Sequence, residues 1–143
     1  MPILELYSVR DGEVPKRSGL NWCFANAHVK PEDAYIALST TFFRSYPDFF
    51  PSRGSIINVE WDDGVKMYCL LEAKHSKPIN GIICPKQIST YNEKSELGHY
   101  LRQRMGVSPD HIITIDDLNN YGRNYIDVTC ITKHKNYFFD FHV

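Results

Sequence analysis

The chain has 143 residues, 43% of them apolar, with 16 Lys/Arg against 17 Asp/Glu and a formal net charge of −1. That length suits one domain, expected over residues 1–143, and can bury a real core. The near-neutral balance excludes a globally basic polyanion binder, and no stretch approaches the roughly 20 apolar residues of a membrane span.

Ile3 to Ser8 reads as a first strand. Residues 7–22 then hold two glycines, a proline and few apolar side chains. That composition makes neither a core strand nor an amphipathic helix. It predicts an extended arm with turns at Asp11-Gly12 and Ser18-Gly19. The arm carries Arg10, Lys16 and Arg17, then Asn21 and Trp22, and a polar loop this long costs backbone entropy unless something binds it. Tyr35 to Leu38 is a second strand. Ser39 is placed to cap a helix over 40–46, which Pro47 stops. Ile57, Val59 and Trp61 alternate with Ile56, Asn58 and Glu60, the period of a half-buried strand. Asp63-Gly64 turns it into a partner over Lys66 to Ala73.

Residues 74–80 form a second polar loop, followed by a strand over Gly81 to Cys84. Ser95 is expected to cap a helix in which Leu97, Leu101 and Met105 recur every four residues and Gly106 closes the last turn. Glu96 at its start and Arg102 and Arg104 at its end suit the helix dipole. Ile112 to Ile115, Tyr125 to Thr132 and Tyr137 to Phe141 are three further strands, with a helical turn over 116–121 closed by Gly122. Seven or eight short strands, two helices and no regular βαβ alternation predict a mainly β chain, an antiparallel barrel or open pseudobarrel with long loops at its rim.

Cysteines 23, 69, 84 and 130 lack metal-ligand spacing, and the six histidines are scattered. Neither a metal site nor a cofactor is expected, and Cys69, Cys84 and Cys130 read as reduced small hydrophobes in a cytoplasmic protein. The N-terminus lacks a basic region followed by an apolar run, so no signal peptide is expected.

Enzymatic signatures are sparse. There is no G-x-S-x-G elbow or P-loop. His28-Val29-Lys30 opens like the phospholipase-D motif H-x-K-x-x-x-x-D, but Tyr35 stands at the aspartate position. Asp62-Asp63 and Asp116-Asp117 have structural explanations at a hairpin tip and a helix start. Glu72-Ala73-Lys74 matches the E-x-K of metal-dependent nucleases, with no second carboxylate beside it. A nuclease using Glu72 and Lys74 therefore stays open as an alternative, as does a barrel whose basic loops bind an acidic protein.

Charge distribution is more telling than net charge, and on its own it leaves nucleic-acid binding and ordinary solvated loops equally open. Residues 10–30 hold four Lys/Arg against two Asp/Glu, residues 74–104 six against two, and the rest six against thirteen. Two basic segments on an acidic body can share one positive face, although solvated loops with a chance excess give the same counts. Arginine, lysine and amide side chains pair with phosphates and purine edges, and a duplex major groove admits loops or a two-stranded ribbon.

The run Tyr7-Ser-Val-Arg-Asp-Gly-Glu-Val-Pro-Lys-Arg-Ser-Gly-Leu-Asn-Trp22, followed by Glu32-Asp-Ala-Tyr-Ile36, resembles the C-terminal specificity domain of phospholipase-D-like restriction endonucleases of the NgoFVII type. The likeness continues in order through Phe49-Phe-Pro51, Asp62-Asp-Gly64, Lys77-Pro-Ile79, Leu97-Gly-His-Tyr-Leu-Arg-Gln-Arg-Met-Gly-Val107, Ile115-Asp-Asp-Leu118, Tyr121-Gly-Arg123 and Asp140-Phe141. It implies a B3-like fold, a seven-stranded open pseudobarrel with two short helices. An N-arm after the first strand and a C-arm between the fourth and fifth would enter the major groove of double-stranded DNA; they fall here at residues 9–30 and 72–81.

It further implies sequence-specific recognition as the target-recognition domain of a restriction endonuclease, without catalysis in this chain and beside a separate phospholipase-D-like nuclease domain. Arg10, Lys16, Arg17 and Lys30 would then contact phosphate or guanine, and Asn21, Asn26 and His28 base edges. Trp22 would brace the arm or touch the DNA backbone. Lys74, His75, Ser76, Lys77 and Asn80 would be the C-arm set. Arg102 and Arg104 are assigned to phosphates or to the helix end, and Arg123 to a tie with Asp116 or Asp117. Relatives continue after the tryptophan with Gly and a Gln/Arg-rich stretch, where this chain has Cys23-Phe-Ala-Asn-Ala-His-Val-Lys30, so no target sequence carries over.

Overall fold

Alternation of apolar and polar side chains builds the sheet. In the computed structural model, which describes residues 2–143, Ile57, Val59 and Trp61 of β3 (Ile56–Trp61) and Met67, Cys69 and Leu71 of β4 (Lys66–Glu72) are buried. Their neighbours along each strand face outward. Five more strands are β1 (Ile3–Glu5), β2 (Ile36–Ala37), β5 (Gln87–Thr90), β6 (Tyr125–Thr132) and β7 (Asn136–Asp140). All seven form one sheet in the order β1-β6-β7-β3-β4-β5-β2. Every neighbouring pair is antiparallel except β3 with β7, which run parallel. The margins β1 and β2 approach each other without pairing. The result is the expected mainly β architecture, a nearly closed seven-stranded barrel around Trp61, Phe43, Phe139 and Phe141.

Three helices and a 3-10 turn (Gly19–Phe24) complete it: α1 (Thr40–Ser45), α2 (Lys94–Met105) and α3 (Ile115–Tyr121). Ser39 caps α1 as expected, its hydroxyl accepting from the Phe42 amide at 3.1 Å. The turn over 116–121 is a full helix. Thr114 and Asp117 form a reciprocal capping box at its start, and Gly122 ends it at φ 115°.

Four expectations are corrected. Ser95 does not cap α2: the helix starts at Lys94, and the Thr90 hydroxyl accepts from the Leu97 amide at 3.2 Å instead. Gly81 to Cys84 is not a sheet strand, whereas Gln87 to Thr90 is; buried Ser89 and Thr90 look like turn residues in the sequence. Their hydroxyls donate inside the fold to the carbonyls of Ala34 and Glu93, which lets them sit in a strand. Ile112 to Ile115 is not a strand either, because a side chain takes the backbone of Ile113, and Ile115 already belongs to α3. The two helices expected are three.

Charged side chains fasten the helices to the barrel. Arg104 of α2 reaches Asp62 with two bonds of 2.9 and 3.1 Å and Asp63 at 3.4 Å. Burial opposes the charge of Asp62, but the bonds from Arg104 and from the Phe141 amide (2.8 Å) outweigh it and hold its carboxyl below the ordinary range. Arg123 pairs with Asp127 at 3.1 Å and donates to the Asp140 carbonyl at 2.6 Å, not to Asp116 or Asp117. Among the described residues no helix is long and apolar enough to cross a membrane.

Candidate nucleic-acid interface

The strand directions decide where the two polar segments emerge. β1 runs parallel to β7 and β3, and β4 runs against them. The segment after β1 and the segment after β4 therefore leave from opposite ends of the sheet, not from one rim. They still border one seam. A groove of about 420 Å³ lies where β1 approaches β2, and Val9, Arg10, Pro15 and Ser18 line it together with Ser39 and Thr41. At the next residue along, Leu38, the carbonyl accepts a 2.7 Å bond from His75 Nε2, and the His75 ring packs 6.1 Å from Phe43. The seam and α1 thus separate the roots of the two segments.

The first segment is pinned rather than loose. Val14 and Leu20 are buried in the core. A bridge between Ser8 and Glu13 closes the first bend, with Gly12 at φ 69°. Exposed tips remain at residues 9–13, 15–17 and 26–28. Arg10 is exposed and meets Asp11 at 3.3 Å. Lys16 and Arg17 are exposed with no carboxylate partner among the described residues, and Asn26 and His28 are exposed. Lys30 is exposed and lies 3.5 Å from Glu93. Trp22 is half-buried, edge-on to Tyr35 at 5.7 Å, as a brace for the arm would be.

Asn21 is a correction. It is 0% exposed; its amide donates to the carbonyls of Pro15 and Ile113 and accepts from the Ile113 amide, each at 2.8 Å. Every polar atom of that side chain is committed inside the fold, so it leaves the set of base-edge groups. Arg102 leaves the phosphate set because it is buried. It is 1% exposed, with Nη2 donating to the His111 carbonyl at 3.1 Å and lying 3.7 Å from Cys23 Sγ. Arg104 leaves it too, held by Asp62.

The second segment is a ribbon, longer than residues 74–80. The His75 amide donates to the Cys84 carbonyl at 3.0 Å, and Ile79 and Ile82 exchange bonds of 2.8 and 3.0 Å. Asn80 and Gly81 sit at its tip with φ of 50° and 77°, the two left-handed residues of a type I′ turn. The dipeptide Asn80-Gly81 between two isoleucines was the signal for this hairpin. Ala73, at φ 57°, turns the chain out of β4. Lys74, Ser76, Lys77 and Asn80 are exposed, while His75 is half-buried and its Nε2–H donates to the Leu38 carbonyl. Glu72 is ion-paired with Lys94 and does not stand free beside Lys74.

This arrangement offers exposed cations, amides and one hydroxyl on both sides of a seam, with few carboxylates left to neutralise them. Such groups bind phosphates and base edges. Compared with known families, the chain matches the profile of the NgoFVII C-terminal B3-like DNA-binding domain over residues 4–132. No curated protein matches it.

Proposed function

The chain belongs to the NgoFVII C-terminal B3-like DNA-binding domain family, and we propose that it recognises a specific sequence in double-stranded DNA through its two arms. The observation that carries this reading is the pair of polar segments, residues 9–30 and 74–84, rooted on either side of one seam. In the reading, Arg10, Lys16, Arg17, Lys30, Lys74 and Lys77 hold phosphates or guanine, and Asn26, His28, Ser76 and Asn80 approach base edges in the major groove. Trp22 and His75 position the arms. The 143 residues act as one recognition unit in the cytoplasm, bind without cleaving, and work beside a phospholipase-D-like nuclease domain as part of a restriction endonuclease.

Selection of bound duplexes from a randomised library tests the reading directly. Enrichment of one short site is expected; no duplex retained at low salt overturns it. Arg17→Ala and Lys77→Ala are expected to weaken binding to every sequence and to flatten its salt dependence. Asn26→Ala and His28→Ala should instead relax choice at one or two base pairs, by roughly 1–3 kcal/mol each. Cutting of plasmid DNA by this chain with magnesium would overturn binding without cleavage.

A further inference from the structure

Four exposed cations outside both arms, Arg44, Arg53, Lys86 and, on the β6–β7 turn, Lys135, have no carboxylate partner among the described residues, and the first three lie near one another. They belong to different elements, yet chain contacts gather those elements at the root of the ribbon. Arg44 follows Phe43, whose ring packs on His75. Arg53 precedes Gly54, whose amide donates to the Leu71 carbonyl at 2.6 Å, two residues before the chain turns out of β4. The Lys86 amide donates to the Glu72 carbonyl at 3.1 Å, and the Lys86 carbonyl accepts from the Leu38 amide at 2.9 Å.

With Lys74 and Lys77 these make five Lys/Arg over residues 36–55 and 73–87, against the single carboxylate of Asp48. Asp48 is already occupied, by Lys133 at 2.6 Å and His134 at 3.1 Å. Glu72, at the border of the second stretch, is held by Lys94. Five uncompensated like charges on a chain of net charge −1 concentrate positive potential in one place. Two lysines of the five are in the ribbon. The other three lie on α1, on the loop to β3 and immediately before β5, and α1 runs between the roots of the two arms.

We propose that Arg44, Arg53 and Lys86 bind the phosphodiester backbone of the duplex whose bases the arms engage, as a phosphate rail between them. The rail rests on the DNA-recognition reading above. It reads no sequence: its contacts set affinity and register, and each phosphate neutralised releases counterions.

The test is a salt titration of duplex binding by the full chain and by Arg44→Ala/Arg53→Ala/Lys86→Ala. At about 0.9 per phosphate, the slope of log K against log salt is expected to fall by about 2–3. The loss should be equal for the selected site and for random duplex. Arg44→Lys/Arg53→Lys should keep the wild-type slope. Lys66→Ala, at the other end of β4 and loosely paired with Glu60 at 4.0 Å, should keep it as well. All three positions are solvent-exposed, and an unchanged thermal midpoint confirms that the triple variant is folded. A triple variant with the wild-type slope, or one that loses only sequence preference, overturns the rail while leaving DNA recognition standing. A wild-type chain that binds no duplex overturns recognition itself.

Discussion

The amide of Asn21 bonds both the N–H and the C=O of Ile113, so one side chain does the work of a neighbouring strand. Removing it leaves those two buried backbone groups and the Pro15 carbonyl without partners. Each such loss costs about 1–3 kcal/mol. Asn21→Ala is therefore expected to lower stability in urea unfolding by at least about 3 kcal/mol. Base preference in the folded fraction should not change, the reverse of the pattern expected for Asn26. Arg102 is the counterpart among cations. Its Nε and Nη1 find no acceptor among the described residues, although the side chain is 1% exposed. An arginine so placed carries no phosphate contact, and its basic neighbour Arg104 carries none either. Much of the positive excess over residues 74–104 is thus spent inside the molecule, and the surface excess lies closer to the ribbon.

Elements hold the arms in place through close approach and through turns. A Cβ on Gly98 of α2 would meet the Glu32 carbonyl oxygen at 1.7 Å, so the helix and the residues that follow the N-arm touch only because that position is glycine. Gly98→Ala should cost roughly 1–3 kcal/mol by overpacking. It should also displace residues 30–34, read as weaker duplex binding in the folded fraction. At the ribbon tip the left-handed backbone matters instead. Gly81→Val strains a residue at φ 77° with nothing packed against it. Duplex affinity should fall, while stability drops by no more than the strain of one left-handed residue, about 1–2 kcal/mol, because no core contact is lost. The capping box of α3 is a smaller matter: Thr114→Ala should lower stability by about 1 kcal/mol.

Across the whole molecule, Asp62 ties three segments that are distant in sequence. It links the β3–β4 hairpin to α2 through Arg104 and to the last strand through the Phe141 amide. Its carboxyl titrates below its ordinary 3.8 in the folded chain. The stability it contributes is therefore fully present above that ordinary value and is lost as pH falls through the lowered one. Asp62→Asn should cost about 1.5–3 kcal/mol at neutral pH, the worth of bonds to a charged group. It should also shrink the drop in stability on acidification, followed by urea unfolding between pH 5 and about pH 2. The sequence by itself determined what depends on near neighbours. Period-two alternation gave β3, Asp63-Gly64 gave its turn into β4, Ser39 gave the start of α1, and runs of polar residues marked both arms. Tertiary structure alone decided which polar groups remain available. Asn21 meets its partner 92 positions away and Arg104 meets Asp62 42 positions away. Strand directions fixed by the β3–β7 parallel pair sent the arms out of opposite ends of the sheet. Local propensity acts over about one turn or one hairpin, whereas burial and charge pairing are settled only when distant segments pack.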